Sequence, residues 1–471
     1  MKNLLIKNGL VVTEKSETVC DVLCEGEKIA RIGKGLGAAS GETETIDASG
    51  KIVIPGGVDV HTHLNLDVGT TVASDDFYTG TRAAACGGTT TIVDHPAFGP
   101  AGCSLDHQID VYHLLAGGMA VIDYGFHGVL QHVDDNVLEM MGTLAGEGIT
   151  SFKLYLTYGF KLDDAAAFRA LRRAKELGVI IAVHPENDGV INLLRDEFRA
   201  SGKTGPEFHP RSRPSECEAE AINRMILFAG IAGAASGGSA APLYIVHLSC
   251  ALGLEFIEAA RRRGQKNLWV ETCPQYLYLD ESLYSPGGGE GGCEGLKYIM
   301  CPPLRTPADN AALWQGLDST VDVVGTDHCP FFLDTQKIAG KDDFTKCPSG
   351  APGIEERIPL MYDAVSKGRI SLRRFTDLCC ANPAKLFGLY PQKGVIAAGS
   401  DADLAIIDPG RQTVISQKNL HSNVDYSAYE GTAVQGWPVC TISRGEVIVK
   451  EGKFIGEAGR GKFLKRKRIN E

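Results

Sequence analysis

The sequence predicts an α/β fold, a (β/α)8 barrel of the TIM type carrying a composite β-sandwich built from both chain ends. Two observations support this prediction. Short strand-like segments at the ends flank a middle region in which apolar strands alternate with helical stretches. Histidine, lysine or aspartate also stands at the carboxyl end of several middle strands, where the strands of a closed barrel converge.

The chain of 471 residues is long enough for one large domain and a smaller one. We place the barrel at residues 55–386. The β-sandwich then comprises residues 1–54 and residues 387–471, the latter including a C-terminal tail. Neither flank can bury a sheet face by itself, so we expect the two flanks to pack on each other.

The elements follow in chain order. The predicted flank strands are 4–12, 22–32 with a turn at 25–27, 45–47, 51–54, 405–408, 436–444 and 446–449. Turns at 408–410 and 444–445 are expected to separate the last three. The predicted barrel strands are 58–64, 89–95, 121–129, 151–157, 179–184, 243–248, 268–272 and 321–326. Predicted helices include 106–116, 163–177, 215–235 and 252–263. An open doubly wound sheet would not gather residues from its first, fourth, fifth, sixth and eighth strands at one point, so the barrel is favoured.

A set of possible metal ligands stands at the ends of these strands. His61 and His63 close the first barrel strand and face the same way, because side chains alternate along a strand. Later strands add Lys153, His184, His247 and Asp327. These are too many for one tetrahedral zinc, so we predict two divalent metals. One would be held by His61, His63 and Asp327, and the other by His184 and His247.

Taken singly, each residue has an ordinary structural alternative. His184 or His247 could be a hydrogen-bonded core histidine, Asp327 could cap a helix, and Lys153 could pair with a carboxylate. An ammonium has no lone pair for a metal, but a desolvated lysine has a lowered pKa and a nucleophilic amine. Condensation with CO2 would give Lys153 a carbamate whose two oxygens can bridge two metals.

Other polar residues lie near the same strand ends. We expect His95 and His328 behind the metal ligands or in the pocket wall, and His127 and His132 in structural roles. Glu186, two residues after His184, could orient a ligand.

Composition excludes several classes of function. The net charge of −11 argues against nucleic acid, which needs a concentrated basic surface. The basic run at 462–468 is expected to be a solvated tail or to dock on a neighbouring subunit. No stretch is apolar enough for a membrane span, and the first residues lack a secretory pattern. The 14 scattered cysteines indicate reduced thiols in a cytoplasmic enzyme.

Several motifs together resemble the cyclic amidohydrolases of the hydantoinase/dihydropyrimidinase family, within the amidohydrolase superfamily. They include Pro-Gly-Gly-Val-Asp-Val-His-Thr-His at 55–63 and Ser-Phe-Lys-Leu-Tyr-Leu-Thr-Tyr at 151–158. The other matching stretches are 87–95, 183–187, 244–249, 271–277, 302–305, 325–328 and 399–404. The similarity spans nearly the whole chain and is greatest to bacterial enzymes of the D-phenylhydantoinase type.

The resemblance implies a binuclear centre, usually zinc, with Lys153 as N6-carboxylysine, in a homotetramer. It assigns Tyr158 to the substrate carbonyl and its oxyanion. It also implies main-chain contacts to the ring amide from Cys301 and Ser349. Here the chain departs from the usual pattern, since serine is common at the first position and asparagine at the second. If side chains make these contacts, specificity would shift.

The predicted reaction is hydrolysis of a cyclic amide. Metals lower the pKa of a water that attacks the ring carbonyl, while Asp327 acts as general base and then as general acid. The ring of a 5-substituted hydantoin opens to an N-carbamoyl amino acid. Alternatives are dihydropyrimidinase acting on dihydrouracil or dihydrothymine, allantoinase or dihydroorotase, and a non-enzymatic relative. A dihydroorotase should need a cation near the metals, and Arg305 is the only spare arginine near the strand ends.

The ring substituent is expected to enter an apolar wall formed by loops after the first, second and fourth barrel strands. These loops carry Leu64, Leu66, Val68, Phe98, Tyr155 and Phe160, without a cation. We therefore expect a preference for 5-aryl hydantoins over dihydrouracil, with the D enantiomer favoured.

Overall fold

The computed structural model describes residues 3–39, 41–235, 238–285 and 293–469. The strands are β1 (Asn3–Val12), β2 (Glu17–Glu25), β3 (Lys28–Gly33), β4 (Thr43–Asp47), β5 (Ile52–Pro55), β6 (Gly57–Thr62), β7 (Thr89–Asp94), β8 (Asp123–Phe126), β9 (Gly128–Leu130), β10 (Ser151–Tyr155), β11 (Ile180–His184), β12 (Leu243–Ile245), β13 (Leu268–Thr272), β14 (Val323–Val324), β15 (Leu404–Val414), β16 (Ala433–Ser443), β17 (Glu446–Lys450) and β18 (Lys453–Phe454).

The helices are α1 (Phe77–Cys86), α2 (His107–Ala116), α3 (Asp135–Gly146), α4 (Asp164–Leu177), α5 (Asp188–Ala200), α6 (His209–Ser212), α7 (Ser215–Ala235), α8 (Ala251–Arg262), α9 (Pro274–Tyr278), α10 (Pro307–Gly316), α11 (Arg357–Ser366), α12 (Leu372–Thr376) and α13 (Asn382–Leu386). Short 3-10 turns occur at Pro206–Phe208, Glu281–Tyr284, Glu294–Tyr298, Lys337–Gly340, Phe344–Lys346 and Gln417–Asn419, and a π-helical turn spans Asp377–Ala381. None of the helices described is long and apolar enough to cross a bilayer.

Both chain ends contribute to one β-rich unit, as predicted. Its strands follow the order β18-β17-β16-β15-β5-β1-β2-β3, with β4 paired to β1. The two ends meet where β15 runs antiparallel to β5, with Leu404 opposite Pro55 and Ile407 opposite Ile52. The predicted turn at 408–410 does not end a strand. Instead β15 continues to Val414 and only its register with β16 shifts between Asp408 and Gln412, so the extra residues are absorbed as a bulge.

The barrel is also confirmed. Parallel pairing joins β6-β7-β8 and β9-β10-β11-β12-β13-β14. The strands β8 and β9 are two halves of the third barrel strand, separated by His127, so eight barrel strands result. A parallel bridge between Thr62 and His328 closes the ring. The carboxyl ends of all eight strands therefore face one side of the molecule.

Helix α4 shows how the sequence forms the outer layer. The Asp163 carboxylate accepts the Ala166 N–H at the start, and Gly178 ends the helix with a left-handed φ of 68°. The buried residues Ala167, Ala170, Leu171 and Ala174 recur with helical spacing. One apolar stripe therefore packs on the barrel while the other faces stay polar.

The basic C-terminal run is not a solvated tail, because it packs on the barrel. We call residues 461–469 the C-terminal strap. The Leu464 N–H donates to the Tyr124 carbonyl at 2.7 Å, and the Arg466 N–H donates to the Gly148 carbonyl at 3.0 Å. Since Gly148 precedes β10 and Tyr124 lies in β8, the strap crosses the amino-terminal end of the barrel. Lys462, Lys465 and Lys467 are exposed on it, whereas Leu464 and Arg466 are buried, because alternate residues of an extended segment face opposite ways.

Candidate metal and substrate site

Three predicted ligands meet at the carboxyl end of the barrel. Asp327 Oδ1 lies 3.0 Å from His61 Nε2 and 3.1 Å from His63 Nε2. One ligand atom from each of the three lies within 4.8 Å of the others. Burial alone would raise the pKa of Asp327, but the two imidazoles hold it well below its usual range. The group therefore offers one carboxylate and two imidazoles to a cation.

The second predicted pair lies beside the first. His247 Nε2 is 2.9 Å from His184 Nδ1, and the ring centroids of His61 and His247 are 5.4 Å apart. Burial lowers the pKa of both His184 and His247. Neutral imidazole is the form that binds a metal. The structure thus brings all four histidines into one space.

Lys153, on β10, lines the same cleft as these groups. Its side chain is buried, and burial lowers the pKa of its amine to about 8. Among the residues that the structure describes, none forms an ion pair or hydrogen bond with the ammonium; the ring of Tyr155 lies 5.3 Å away. Burial thus outweighs the charges of Asp327 and Glu271, which favour the ammonium, and makes the neutral amine more accessible than in an ordinary lysine.

The donor atoms of the site have the chemistry that metal binding needs. His61 Nε2 is buried and faces Asp327 without a hydrogen-bond partner among the described residues. Burial opposes protonation of His61, but Glu271 and Asp327 outweigh it and raise its pKa to about 9. A carboxylate crowded by imidazole nitrogens that lack other partners is the arrangement expected of a metal-binding group. The residues present fit divalent metals.

Carboxylates behind the ligands fix their orientation. Glu271 accepts hydrogen bonds from His61 Nδ1 at 2.6 Å, from the His247 N–H at 3.0 Å and from the Tyr244 hydroxyl at 2.9 Å. This leaves His61 Nε2 free to point at the site. Glu271 is not among the predicted residues. It could have been found from its position near the carboxyl end of the seventh predicted barrel strand, where the other site residues also lie.

On the other side of the site, Glu186 lies 2.7 Å from His184 Nε2, which directs His184 Nδ1 toward His247. Glu186 is in turn held by Arg213, whose guanidinium lies 5.6 Å over the ring of Tyr158. Arg213 is also absent from the predicted set, because no local pattern connects it to His184.

Tyr158 lines the same cleft, with its ring centroid 5.1 Å from that of His184. Burial raises the pKa of its phenol well above the usual range, so the O–H stays available as a donor. Tyr158, His247 and Asp327 adopt left-handed φ values of 75°, 38° and 53°. Side chains other than glycine hold such conformations at a cost, and they concentrate at functional sites.

A cleft of about 1010 Å³ opens above these groups. Leu66, Val68, Phe98, Tyr155 and Phe160 form its apolar wall, in which the ring centroid of Phe98 lies 5.0 Å from that of Tyr155 and 4.9 Å from that of Phe160.

Two further predicted contact residues, Cys301 and Ser349, also line the cleft, with Sγ and Oγ 3.4 Å apart. Leu64 does not line it. Its side chain is fully buried against Gly80 of α1, because it follows His63 and alternation turns it outward.

Among the residues described, no cation from the loops after the first, second and fourth barrel strands lines the cleft, but cations from other segments do. Arg195, Arg213 and Lys346 line it. Arg213 is neutralised by Glu186, whereas Lys346 is exposed at the cleft mouth. Arg305, the arginine noted in the sequence, pairs with buried Glu218 at 2.9 Å and lies outside the cleft lining.

The remaining histidines lie behind the site or away from it. The ring of His95 lies 4.5 Å from that of His61 and 3.9 Å from that of His127. His328 is fully buried; its Nε2 lies 3.0 Å from Asp75, and its Nδ1 accepts backbone N–H groups. His132 is only partly buried and lies 3.8 Å from Asp134.

Comparisons with known proteins agree with this geometry. The amidohydrolase family model matches residues 52–448. A D-phenylhydantoinase of Escherichia coli O1:K1 is 52% identical over 466 residues, covering 98% of each chain. The crystal structure of dihydropyrimidinase from Brevibacillus agri NCHU1002 superposes with a TM-score of 0.94 at 44% identity, covering 100% of each chain.

D-hydantoinase from a Bacillus sp. AR9 gives a TM-score of 0.93 at 44% identity, covering 99% of this chain and 100% of the other. Sequence and structural similarity thus extend over the whole barrel and the β-rich unit. The chain belongs to the amidohydrolase family, among its hydantoinases and dihydropyrimidinases.

Proposed function

We propose that this protein hydrolyses the cyclic amide of 5-substituted hydantoins, giving N-carbamoyl amino acids. The observation that carries the proposal is the convergence of His61, His63, Lys153, His184, His247 and Asp327 at one end of the barrel. The D-phenylhydantoinase with 52% identity supports the substrate class.

Two divalent metals, zinc in the first instance, are the proposed cofactors. His61, His63 and Asp327 would hold one, and His184 and His247 the other, with a carboxylated Lys153 between them. The lowered pKa of Lys153 supports the carboxylation, because only the neutral amine can add to CO2. When bound, the metals would supply Lewis acidity and lower the pKa of a water toward about 7.

The chain's own residues would handle the protons and the developing charge. Asp327 faces the site as a carboxylate and would take the proton of the attacking water, then deliver it to the leaving ring nitrogen. Tyr158 keeps its phenolic proton, because its pKa is raised. Its hydroxyl would donate a hydrogen bond to the carbonyl oxygen as negative charge builds there.

Substrate orientation is proposed to come from three parts of the cleft. Main-chain groups of Cys301 and Ser349 would bind the ring amide, and Tyr155 would border the ring. The apolar wall of Leu66, Val68, Phe98, Tyr155 and Phe160 would take the substituent. Burying an aryl group there is worth roughly 1.5–3 kcal/mol, so 5-aryl hydantoins of D configuration are the expected substrates.

A second candidate is opening of dihydrouracil or dihydrothymine. It is supported by the similarity to a dihydropyrimidinase structure at a TM-score of 0.94. The two activities share the metal chemistry and differ in ring size and substituent. The apolar wall favours the aryl hydantoin.

The decisive experiment compares kcat/KM for D- and L-phenylhydantoin, dihydrouracil, allantoin and dihydroorotate. D-phenylhydantoin should lead by about 10- to 200-fold, the range that pocket contacts of this size give. A lead for dihydrouracil would instead identify a pyrimidine-ring hydrolase. Removing metal with a chelator should abolish activity, and zinc, manganese or cobalt should restore it. Full activity in metal-free protein would overturn the proposal.

We also propose a cytoplasmic homotetramer. All 14 cysteines are free thiols, which accords with a reducing compartment. Exposed apolar side chains on α5 and α7, Leu193, Leu227 and Ile231, are suited to an interface between copies. Light scattering of Leu227→Asp tests this: a smaller particle is expected, and unchanged mass would place the interface elsewhere.

A further inference from the structure

The C-terminal strap places a buried cation in the floor of the barrel. Arg466 is only 3% exposed. Its guanidinium donates to Ser151 Oγ at 2.8 Å and to the Phe126 carbonyl, and no ion pair joins it to a carboxylate in the part of the chain that the structure describes. A buried charge with only neutral partners is costly to stability. Its presence therefore calls for a role beyond holding the strap.

The hydrogen bonds that start at Arg466 have a fixed direction. A guanidinium can only donate, so Ser151 Oγ accepts from it. The Ser151 hydroxyl proton then points to His127 Nδ1, 2.6 Å away. His127 Nε2 must carry the ring proton, which it donates to the Val60 carbonyl at 3.0 Å. The Arg466 guanidinium and the Val60 carbonyl therefore require the same tautomer of His127, and the cation acts on the ring only through Ser151.

This chain of hydrogen bonds ends directly behind the metal ligands. Val60 precedes His61 on β6, and Ser151 stands two residues before Lys153 on β10, on the same face of the strand. The His127 ring stacks on His95 at 3.9 Å with an interplanar angle of 12°, and His95 lies 4.5 Å from His61. The strands that carry His61 and Lys153 are therefore tied together through His127.

We propose that Arg466 is a positioning residue for the metal centre, acting through Ser151 and His127 on the ligands His61 and Lys153. The inference rests on the proposed metal function. It gives the C-terminal strap a part in catalysis from the end of the barrel opposite the substrate cleft.

The test compares Arg466→Met, Arg466→Lys and Ser151→Ala with the control Lys465→Ala, which alters an exposed residue of the same strap. Measurements are metal ions bound per chain, the visible absorption spectrum of the cobalt-substituted protein, and kcat and KM for phenylhydantoin. Arg466→Met and Ser151→Ala should lose about 10- to 100-fold in kcat or metal affinity, the range for groups that orient metal ligands.

The KM should change little, the cobalt spectrum should shift, and Arg466→Lys should retain more activity because lysine is also a pure donor. A merely structural strap would lower the melting temperature but leave the spectrum of folded protein unchanged. If Arg466→Met does not fold, the Ser151→Ala variant provides the test, because it breaks the same series of hydrogen bonds and leaves the strap in place. Folded variants with wild-type metal content, spectrum and kcat would overturn the inference, whereas a wild type indifferent to metal would overturn the proposed function instead.

Discussion

The metal centre and a second buried cluster of charged residues each contain a buried lysine, and the pKa values of the two lysines are shifted in opposite directions. In the second cluster, which we call the lysine cluster, Lys393 Nζ lies 2.6 Å from Asp123, 2.6 Å from Asp403 and 3.0 Å from Asp401. Burial opposes its charge, but the three carboxylates outweigh burial and raise its pKa. Lys153 is equally buried and has no such partners, so burial lowers its pKa to about 8.

The difference in pKa reflects a difference in role: Lys393 stabilises the fold, whereas Lys153 belongs to the candidate metal site. The lysine cluster joins Asp123 at the start of β8 to Asp401 and Asp403 beside β15, so its paired charges hold the barrel against the β-rich unit. At the metal centre Lys153 has no ion-pair partner among the described residues, and Asp327 faces imidazoles that can bind a metal, which leaves the amine and the carboxylate available for chemistry. The four predictions below test this contrast, from the largest expected effect to the smallest.

Lys153→Ala should lower kcat by more than about 10⁴-fold, beyond the range of a single proton-transfer group, because both metals would lose the ligand that we propose they share. The fold should persist, since the ammonium has no partner to leave unpaired. Intact mass spectrometry of native wild-type protein should show the added mass of one CO2. Partial rescue of the variant by a short carboxylic acid is expected, and an unmodified Lys153 in active wild type would contradict the bridging role.

Asp327→Asn should lower kcat by about 10²–10⁴-fold, the range for a general acid-base group. Asparagine keeps an oxygen for the metal, so bound metal measured per chain should fall far less than activity. A near-normal rate would mean that another group takes the proton. His328 is excluded from that role by its position, because both of its ring nitrogens are engaged away from the cleft.

Lys393→Met should have the opposite effect: it should lower stability and leave activity nearly unchanged. It removes the ion-pair partner of Asp403 and one of the two partners of Asp123 and of Asp401, which keep Arg444 and Lys28. Breaking a buried charge group costs about 3–5 kcal/mol of unfolding free energy. Urea denaturation measures the loss, while kcat per folded molecule should stay near wild type. Lys28→Met is the matched control. Lys28 pairs with Asp401 at 2.6 Å but is 51% exposed, so it should cost under about 1 kcal/mol. Equal losses of unfolding free energy in the two variants would show that the buried lysine cluster contributes no more to stability than an exposed ion pair.

The two lysines should also differ in their response to pH. The neutral amine of Lys153 increases as pH rises through about 8. At constant dissolved CO2, carboxylation of metal-free protein should therefore be about tenfold faster near about pH 9 than near about pH 7. Lys393, whose pKa is raised, should stay unmodified over this range. Peptide-resolved mass spectrometry after trapping the carbamate distinguishes the sites, and a rate independent of pH would argue against a lowered pKa.

The sequence by itself determined the barrel, its strand order and the residues at the strand ends. It could do so because alternation along strands and the convergence of strand ends are local properties repeated in every barrel strand. The same alternation rule, applied strictly, turns Leu64 away from the cleft beside His63. The free thiol state of the cysteines followed from their scattered positions. The pairing of the two flanks followed from the need to bury sheet faces.

Only the tertiary structure decided which partners surround those residues. His61 meets Glu271 across 210 positions of sequence, and Arg466 meets Ser151 across 315. No local pattern encodes such pairs, because they arise when distant segments pack against one another. The pKa of a buried group depends on these same neighbours. Two lysines that look alike in the sequence, Lys153 and Lys393, therefore differ in pKa and in surroundings only once the chain has folded.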